Sequence, residues 1–252
     1  MVRILAAVVA GAALAAIATA GAQETKRRPD MLETDAIQTS AGELKITFVG
    51  HGTLMFTFGD KVIHVDPVSA EADYSKMPKA DLILVTHEHY DHLDPAAIAA
   101  VRKESTAIVL TAKCAEAVRG GIVMKNGETR TVAGLAIEAV PAYNVLHKRP
   151  NGLPFHPKGE GNGYIIAFGD KRVYIAGDTE NIPEMKTLKN IAVAFLPMNL
   201  PYTMTPDMVA DAARAFRPRI LYPYHYGKTD TSQLVKLLAA EKDIEVRIRR
   251  MP

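Results

Sequence analysis

The sequence of 252 residues predicts one α/β domain in which helices cover sheets of short strands. Three observations carry this prediction. Short apolar runs typical of strands recur from residue 41 onward, helix-type segments stand between several of them, and no linker or internal repeat interrupts the series. With 48% apolar residues, a chain of this length can bury a full core.

The first half of this domain predicts strands joined by one tight hairpin, followed by strands that alternate with helices. Gly59-Asp60 forms the hairpin turn. Asp94 is the expected N-cap of the first helix, and Gly120-Gly121 closes the second. The predicted strands are 44–49, 54–58, 62–65, 81–86 and 107–111, and the predicted helices are 95–103 and 112–118.

The second half repeats these element types. Residues 122–140 alternate in the manner of strands around two turns, and Gly169-Asp170 separates the strands of a second hairpin. The loop from Tyr143 to Gly163 is rich in Pro and Gly, which predicts an irregular lid rather than a helix. The remaining predicted strands are 164–168, 172–176, 193–196, 220–222 and 244–248, and the helices are 206–216 and 231–240.

The N-terminus has the pattern of a signal for export. Arg3 precedes an apolar stretch from Ile4 to Ala18, and small residues follow it. We expect a cleaved signal peptide over residues 1–22 and a periplasmic or secreted protein, the alternative being an uncut anchor. The apolar stretch is shorter than the ~20 residues of a spanning helix, so no stable membrane insertion is expected after cleavage. Residues 23–40 are polar and aperiodic and predict a flexible lead-in to the domain at 41–252.

Composition argues against several classes of partner and site. Lys and Arg total 30 against 28 Asp and Glu, so the basic surplus of a nucleic-acid-binding protein is missing. The single Cys114 excludes an internal disulfide and a Cys-rich zinc ribbon, and it is expected to be a buried apolar residue rather than a nucleophile. Oligomeric state does not follow from these numbers.

Residues 87–92, His-Glu-His-Tyr-Asp-His, form the strongest chemical motif in the sequence. The motif follows directly after the strand at 81–86. Side chains two apart in an extended segment point the same way, so His87 and His89 can hold one metal ion. Asp91 and His92 can face a second position as the chain turns. Imidazole and carboxylate ligands suit zinc, iron or manganese.

This motif resembles the His-x-His-x-Asp-His signature of the metallo-β-lactamase-fold hydrolases. Other segments resemble that family in the same order: Gly50-His51, Val65-Asp66-Pro67, Gly177-Asp178-Thr179 and Tyr224-His225-Tyr226. The resemblance implies a four-layered αββα sandwich with a metal site at one edge, between the two sheets. It is greatest to the branch that contains sugar-phosphate lactonases and N-acyl-phosphatidylethanolamine phospholipase D-like enzymes.

The resemblance also implies roles for individual residues. His87 and His89 would bind a first metal ion, Asp91, His92 and His225 a second, and Asp178 would bridge them. Asp66 would orient a ligand histidine through its second ring nitrogen. His51 would contact the substrate or support a ligand residue, or it would be a structural histidine.

One ligand of the first metal ion is left open by the sequence. Many relatives have a third histidine where this chain has Asn144. His156, on the loop that follows, is the expected replacement, with Asn144 itself and His147 as alternatives. The departure makes true β-lactamase activity a less favoured expectation.

The function that follows is metal-dependent hydrolysis. Two divalent ions, expected to be Zn²⁺ with Mn²⁺ or Fe²⁺ as alternatives, lower the pKa of a water and stabilise the developing oxyanion. Asp91 would orient the hydroxide and take part in proton transfer. The expected substrate is an ester, lactone, amide or phosphodiester of a small molecule or lipid head group. Arg149 and Lys158 could meet an anionic substrate or be solvated charges. The alternative function is a non-catalytic metal-binding or ligand-sensing protein.

Overall fold

The computed structural model describes residues 32–252, and the expected signal peptide lies outside them. The first half of the described chain forms one seven-stranded sheet with strands in sequence order. Strands β1 to β4 pair antiparallel, and β4 to β7 pair parallel. They are β1 (Glu33–Thr39), β2 (Gly42–Gly50), β3 (Thr53–Phe58), β4 (Lys61–Val65), β5 (Leu82–Leu84), β6 (Ala107–Leu110) and β7 (Ile122–Val123).

The second half forms a second seven-stranded sheet with the same pattern of pairing. Strands β8 to β11 are antiparallel and β11 to β14 parallel, although no sequence repeat announces this similarity. They are β8 (Thr129–Val132), β9 (Leu135–Ala142), β10 (Gly161–Phe168), β11 (Lys171–Ile175), β12 (Ile191–Pro197), β13 (Ile220–Tyr224) and β14 (Glu245–Val246).

The four α-helices that the structure describes lie on the outer faces of the two sheets. One apolar cluster packs between the sheets and contains side chains of both, such as Phe56 and Phe195. A second cluster joins the first sheet to α1 (Pro95–Val101) and α2 (Cys114–Ala117). A third joins the second sheet to α3 (Pro206–Phe216) and α4 (Ser232–Leu237). The predicted αββα order of layers is confirmed. None of the helices in residues 32–252 is both long and apolar enough to cross a membrane.

The local signals in the sequence are reproduced closely. Asp94 caps α1 by accepting hydrogen bonds from the backbone N–H groups of Ala96 and Ala97. Both Gly-Asp pairs join antiparallel strands as hairpin turns. The loop between β9 and β10 contains neither helix nor strand, although β10 begins at Gly161, three residues earlier than predicted. Cys114 is fully buried, which raises its pKa to about 11 and suits an inert thiol.

The expected flexible lead-in is wrong for residues 33–39, which form β1 along the edge of the first sheet. Five of its seven side chains are polar and the two apolar ones are adjacent, so no apolar period predicts a strand there. Asp35 anchors β1 instead, because both its carboxylate oxygens accept hydrogen bonds from Arg249 at 2.6 and 2.7 Å, and the Tyr222 hydroxyl also donates to it. These partners lie about two hundred residues away in the sequence, where no local pattern can reveal them.

Candidate metal centre

The candidate metal centre lies where strands of both sheets end. Asp66 follows β4, and His87 to His92 follow β5, which pairs parallel with β4. Asp178 follows β11 and His225 follows β13, which belong to the parallel part of the second sheet. Parallel strands end at the same edge of a sheet, so the two halves of the chain bring their polar loops together there.

Three histidines from two loops form the first group of candidate ligands. Nitrogen atoms of His87, His89 and His156 lie within 4.8 Å of one another. His156 Nε2 is 3.2 Å from His89 Nδ1. The loop residue His156 thus occupies the place where the sequence left three candidates for the third ligand.

The second group contains Asp91, His92 and His225, with His51 beside them, again within 4.8 Å of one another. Asp178 lies between the two groups. Its Oδ2 is 3.3 Å from His156 Nε2 and 3.4 Å from His225 Nε2, and its Oδ1 is 3.4 Å from His92 Nε2. A carboxylate in this position can contact ions held by both groups.

Several buried polar atoms in the centre have no hydrogen-bond partner within the described chain. They are His87 Nε2, His92 Nε2, Asp178 Oδ1 and both ring nitrogens of His225. Buried polar atoms are normally paired, because leaving one unsatisfied costs roughly 1–3 kcal/mol. The Nε2 atoms of His87, His92 and His225 lie 3.4–4.0 Å from the Asp178 carboxylate, and such a set fits divalent cations such as zinc, iron or manganese.

Asp66 forms hydrogen bonds that hold two of the candidate ligands in place. The fully buried carboxylate accepts a hydrogen bond from His92 Nδ1 at 2.8 Å, which leaves His92 Nε2 facing the centre. It also accepts bonds from the backbone N–H and the hydroxyl of Thr86, at 2.8 and 2.6 Å. The Thr86 hydroxyl in turn lies 3.0 Å from His87 Nδ1. One carboxylate therefore orients two candidate ligands.

Asn144 lies behind His156 and outside the groups of candidate ligands. Its Oδ1 accepts hydrogen bonds from the backbone N–H and the ring Nδ1 of His156, both at 2.7 Å. Its Nδ2 donates to Glu180 and to the Tyr202 carbonyl. Because both ends of the amide are taken up, the alternative in which Asn144 binds the metal does not fit the structure. The residue instead leaves His156 Nε2 pointing at the centre.

Glu180, which sequence reasoning missed, holds the loop that carries Asn144. Its side chain is fully buried and accepts bonds from the backbone N–H groups of Val145, Leu146 and His147 at 2.7–2.9 Å. It also accepts a hydrogen bond from His147 Nδ1 at 2.7 Å, so His147 is a partner of Glu180 and belongs to neither group of candidate ligands. Burial acts to raise the pKa of Glu180, but these donors outweigh it and lower the pKa.

Burial and neighbouring charges set the protonation of the candidate ligands. Burial lowers the pKa of His87 and of His89, which favours the neutral form that binds metal. The pKa values of Asp178 and Asp91 are lowered, because surrounding histidines outweigh the effect of burial. For His92, burial is outweighed by the carboxylates of Asp178 and Asp66, which raise its pKa to about 9. A bound metal cation would also interact favourably with these carboxylates.

His51 borders the second group and lies next to Asp91. Its Nδ1 donates to the Pro252 carbonyl at 2.8 Å, and its Nε2 lies 3.3 Å from Asp91 Oδ2. Burial acts to lower the pKa of His51, and these two acceptors outweigh it and raise the pKa. His51 thus contacts a candidate ligand directly.

Backbone strain is concentrated at this centre. Six non-glycine residues in the described chain have a positive φ, and three of them, His51, Asp66 and His225, belong to the centre. A positive φ is sterically unfavourable for residues with a Cβ. Such strain persists where the surrounding fold imposes it, which is typical of functional sites.

A cleft of about 570 Å³ opens above the centre. Its walls come from the loops that carry the candidate ligands, from the loop after β9 and from the segment after β12. They include Tyr90, Arg149, Phe155 and Tyr202. Arg149 therefore reaches the cleft, as one reading of the sequence predicts. Lys158 does not line it, since its ammonium group binds Glu184 at 2.8 Å and the Tyr143 hydroxyl at 3.2 Å.

Comparisons with known proteins agree with this geometry. Residues 45–225 match the family model described as "Beta-lactamase superfamily domain". A UPF0173 metal-dependent hydrolase of Thermococcus kodakarensis is 34% identical over 198 residues, which is 73% of this chain and 85% of the relative. Another, from Pelotomaculum thermopropionicum, is 28% identical over 222 residues, 81% of this chain and 96% of the relative.

Solved structures show the same fold. A crystal structure assigned as a metal-dependent hydrolase from Parabacteroides distasonis is 52% identical, with a TM-score of 0.84 over 88% of this chain and all of that one. A metallo hydrolase from Ignicoccus hospitalis, at 24% identity, superimposes with a TM-score of 0.67 over 83% of this chain and 96% of that one. With its fold, its histidine and aspartate cluster and these relatives, the chain belongs to the metallo-β-lactamase superfamily of metal-dependent hydrolases.

Proposed function

We propose that this protein is a dinuclear metal hydrolase that cleaves an ester, lactone, amide or phosphodiester bond in the cleft. The observation that carries the proposal is the set of buried, unpaired nitrogen and oxygen atoms facing one another across Asp178. His87, His89 and His156 would hold one ion, and Asp91, His92 and His225 the other. Two divalent cations there would supply a water of lowered pKa and positive charge opposite the developing oxyanion.

The protein's own groups supply orientation and proton transfer. Asp91 is the most exposed of the candidate ligands from the second group, with 29% of its side chain accessible from the cleft side, whereas His92 and His225 are buried. Asp91 can therefore accept a proton from an attacking water and pass it on. His51 holds Asp91 in place through its Nε2. Zinc is the proposed metal because imidazole dominates the ligand set.

We also propose that the protein acts outside the cytoplasm, on the strength of Arg3 and the apolar stretch that follows it. Expression of the full chain in a bacterium tests this part. The mature protein should appear in the periplasmic fraction with a mass lowered by removal of about 22 residues. An uncut chain in the membrane or cytoplasmic fraction would contradict it.

The experiment that tests the proposed function is a metal count joined to an activity screen. We expect close to two equivalents of metal per chain in protein purified without chelator, and hydrolysis of at least one class among esters, lactones and phosphodiesters. Asp178→Ala should lose both metal and activity. The matched control is Asp60→Ala, which removes a carboxylate from a side chain that is 94% exposed and should change neither.

The outcomes separate the proposed function from its alternatives. One equivalent of metal with activity would refute the dinuclear part of the proposal. Full metal without hydrolysis of any class would favour the non-catalytic metal-binding or sensing function that the Asn144 departure first suggested. A folded protein that neither contains nor takes up metal would refute both.

A further inference from the structure

We propose that the cleft binds an amphiphile: an anionic group at Arg149 and an apolar portion along the rim formed by Tyr90, Phe155 and Tyr202. This inference rests on the proposed function, since it names the substrate class of the same site. It commits to a small molecule with one carboxylate, phosphate or phosphonate group and an alkyl or acyl portion.

Among the described residues that line this cleft, Arg149 is the only Lys or Arg. The guanidinium lies 5.2 Å from the Phe155 ring centroid and donates to the Phe155 carbonyl at 3.2 Å, so its stem is held at the cleft wall. Within residues 32–252, no carboxylate lies within ion-pair distance of it. The nearby Lys113 and Lys158, by contrast, are bound to Glu160 and Glu184. Arg149 therefore has donors available for an anion.

His89 gives a second reason for Arg149 to face an anion. Its Nδ1 points to His156 in the first metal group, and its Nε2 lies 3.4 Å from Arg149 Nη2. When Nδ1 serves as the ligand, the single proton of the neutral ring lies on Nε2. The N–H groups of His89 and Arg149 then face each other without an acceptor between them. The guanidinium can make a better hydrogen bond to an anion in the cleft.

Of the three carboxylates that the described residues place in the cleft, two would be offset by cations in the loaded protein. Asp91 and Asp178 are candidate metal ligands, so their charge is offset by the cations they hold. Glu71 is the remaining carboxylate that lines the cleft, and it has an interaction within the protein as well. The loaded cleft therefore combines a positive metal centre with a positive guanidinium on its wall.

The exposed apolar side chains of the described chain are concentrated around this cleft. Seven large apolar residues are exposed, and six of them lie in the three segments that build the cleft wall. The six are Tyr90 (88% exposed), Val145 (47%), Leu146 (69%), Leu153 (60%), Leu200 (47%) and Tyr202 (44%). The seventh, Val235, lies on α4 away from the cleft. Apolar exposure confined to the surroundings of a site indicates an apolar ligand or partner.

The shape of the site favours a small amphiphile over a flat partner. Tyr90 and Tyr202, together with Phe155, line a concavity of about 570 Å³ that ends at the candidate metal centre, a size typical of small-molecule sites. Phe155 and Tyr202 pack edge to face with their ring centroids 5.1 Å apart, which forms an aromatic wall beside Arg149. An anionic group next to an alkyl chain matches this order of positive and apolar surface.

Binding of simple amphiphiles to the metal-loaded protein tests the anionic part. Octanoate, 1-octanol and octyltrimethylammonium are titrated by calorimetry. We expect octanoate to bind at least tenfold more tightly than either of the other two. Arg149→Gln should weaken octanoate binding by about tenfold or more, and leave octanol binding within twofold. The control Arg130→Gln, which removes an exposed arginine that pairs with Glu128, should have no effect.

A series of chain lengths tests the apolar part. From hexanoate to decanoate, affinity should rise by roughly two- to fourfold for each CH₂ group that becomes buried. Tyr202→Ser, which removes a side chain that lines the cleft, should reduce the affinity for decanoate at least threefold. Val235→Ser, the matched removal of an exposed apolar side chain outside the cleft, should leave it unchanged.

Equal binding of octanoate and octanol, or an affinity independent of chain length, would overturn the proposal. So would a rim-dependent dimer in sedimentation, or binding to phosphatidylcholine vesicles that competes with octanoate, because the apolar rim would then serve another occupant. Hydrolysis of a neutral ester is measured on the same samples. A protein that hydrolyses this ester without Arg149-dependent binding refutes only the amphiphile, whereas Arg149-dependent binding without any hydrolysis refutes only the proposed function.

Discussion

Gly52 lies directly against His92, and replacing it by Ala should damage the metal centre selectively. A Cβ at Gly52 would stand 2.5 Å from His92 Cε1 and 3.0 Å from Nδ1. The backbone of Gly52 does not have a positive φ, so the substitution adds a clash without conformational strain. An ordinary contact begins near 3.4 Å, which means that the ring or the backbone must move by about 0.9 Å.

The His92 ring has little freedom to make this movement. It is fully buried, its Nδ1 is bound to Asp66 at 2.8 Å, and the His87 ring centroid lies 4.2 Å away. A shift of that size either lengthens the bond to Asp66 beyond hydrogen-bond range or carries Nε2 away from Asp178. Disturbing such a supporting contact typically costs 10–100-fold in metal affinity. Overpacking of the core should also cost roughly 1–3 kcal/mol of stability.

The chain offers a matched control for this substitution. A Cβ at Gly121 would stand 2.5 Å from Leu110 Cδ2, the same overlap, but with an apolar core side chain. Metal affinity is measured by competition with a chromophoric chelator, and stability by urea unfolding of the chelator-treated protein. Both variants should lose stability, and only Gly52→Ala should lose metal affinity. A Gly52→Ala affinity within twofold of the parent, or an equal loss in Gly121→Ala, would refute the reasoning.

Two further predictions concern Asn144 and His64. Asn144→Ala removes the acceptor that holds His156, so the affinity for one of the two metal equivalents should fall by about 10–100-fold in the same competition assay. The control Asn181→Ala, which breaks an exposed hydrogen bond to Asp211, should leave the metal affinity unchanged. Equal metal affinities of the two variants would contradict the role given to Asn144. Burial lowers the pKa of His64 from 6.5 to about 4. Between these pH values His64 is protonated in the unfolded chain and neutral in the folded chain. The free energy of unfolding should therefore fall by up to about 3 kcal/mol as the pH drops from 6.5 to 4. His64→Gln should remove that share of the pH dependence in urea unfolding of metal-free protein, and an unchanged slope would contradict it.

Local signals explain why much of the fold could be predicted. The Asp94 cap and the two Gly-Asp hairpins depend on a few adjacent residues, and the structure reproduces them. The segment 87–92 carries four candidate ligands on one loop, so their proximity is a property of local chain geometry. The terminal residues of helices were less predictable: α4 ends at Leu237 although the prediction extended to Ala240, because ends depend on contacts with the rest of the fold.

The residues that the sequence did not reveal act through distant partners. Strand β1 is mostly polar and is stabilised by the bonds of Asp35 to Tyr222 and Arg249, which come together only in the folded chain. No sequence motif marks Glu180 as a functional residue. Its role follows from hydrogen-bond donors on a loop more than thirty residues earlier in the chain. The second sheet repeats the pairing of the first without a repeat in sequence, because many apolar sequences satisfy the same pairing.

The amino-acid sequence alone determined the class of fold, the histidine and aspartate cluster and the order of the motifs, since periodicity and close spacing are local properties of the chain. Tertiary packing decided that His156 faces the first group of candidate ligands while Asn144 supports it. Both roles depend on the packing of the loop after β9 against the loop that carries His89. It also placed Arg149 and the exposed apolar residues around one cleft. Side chains scattered along the sequence acquire a common function only when distant segments share one surface.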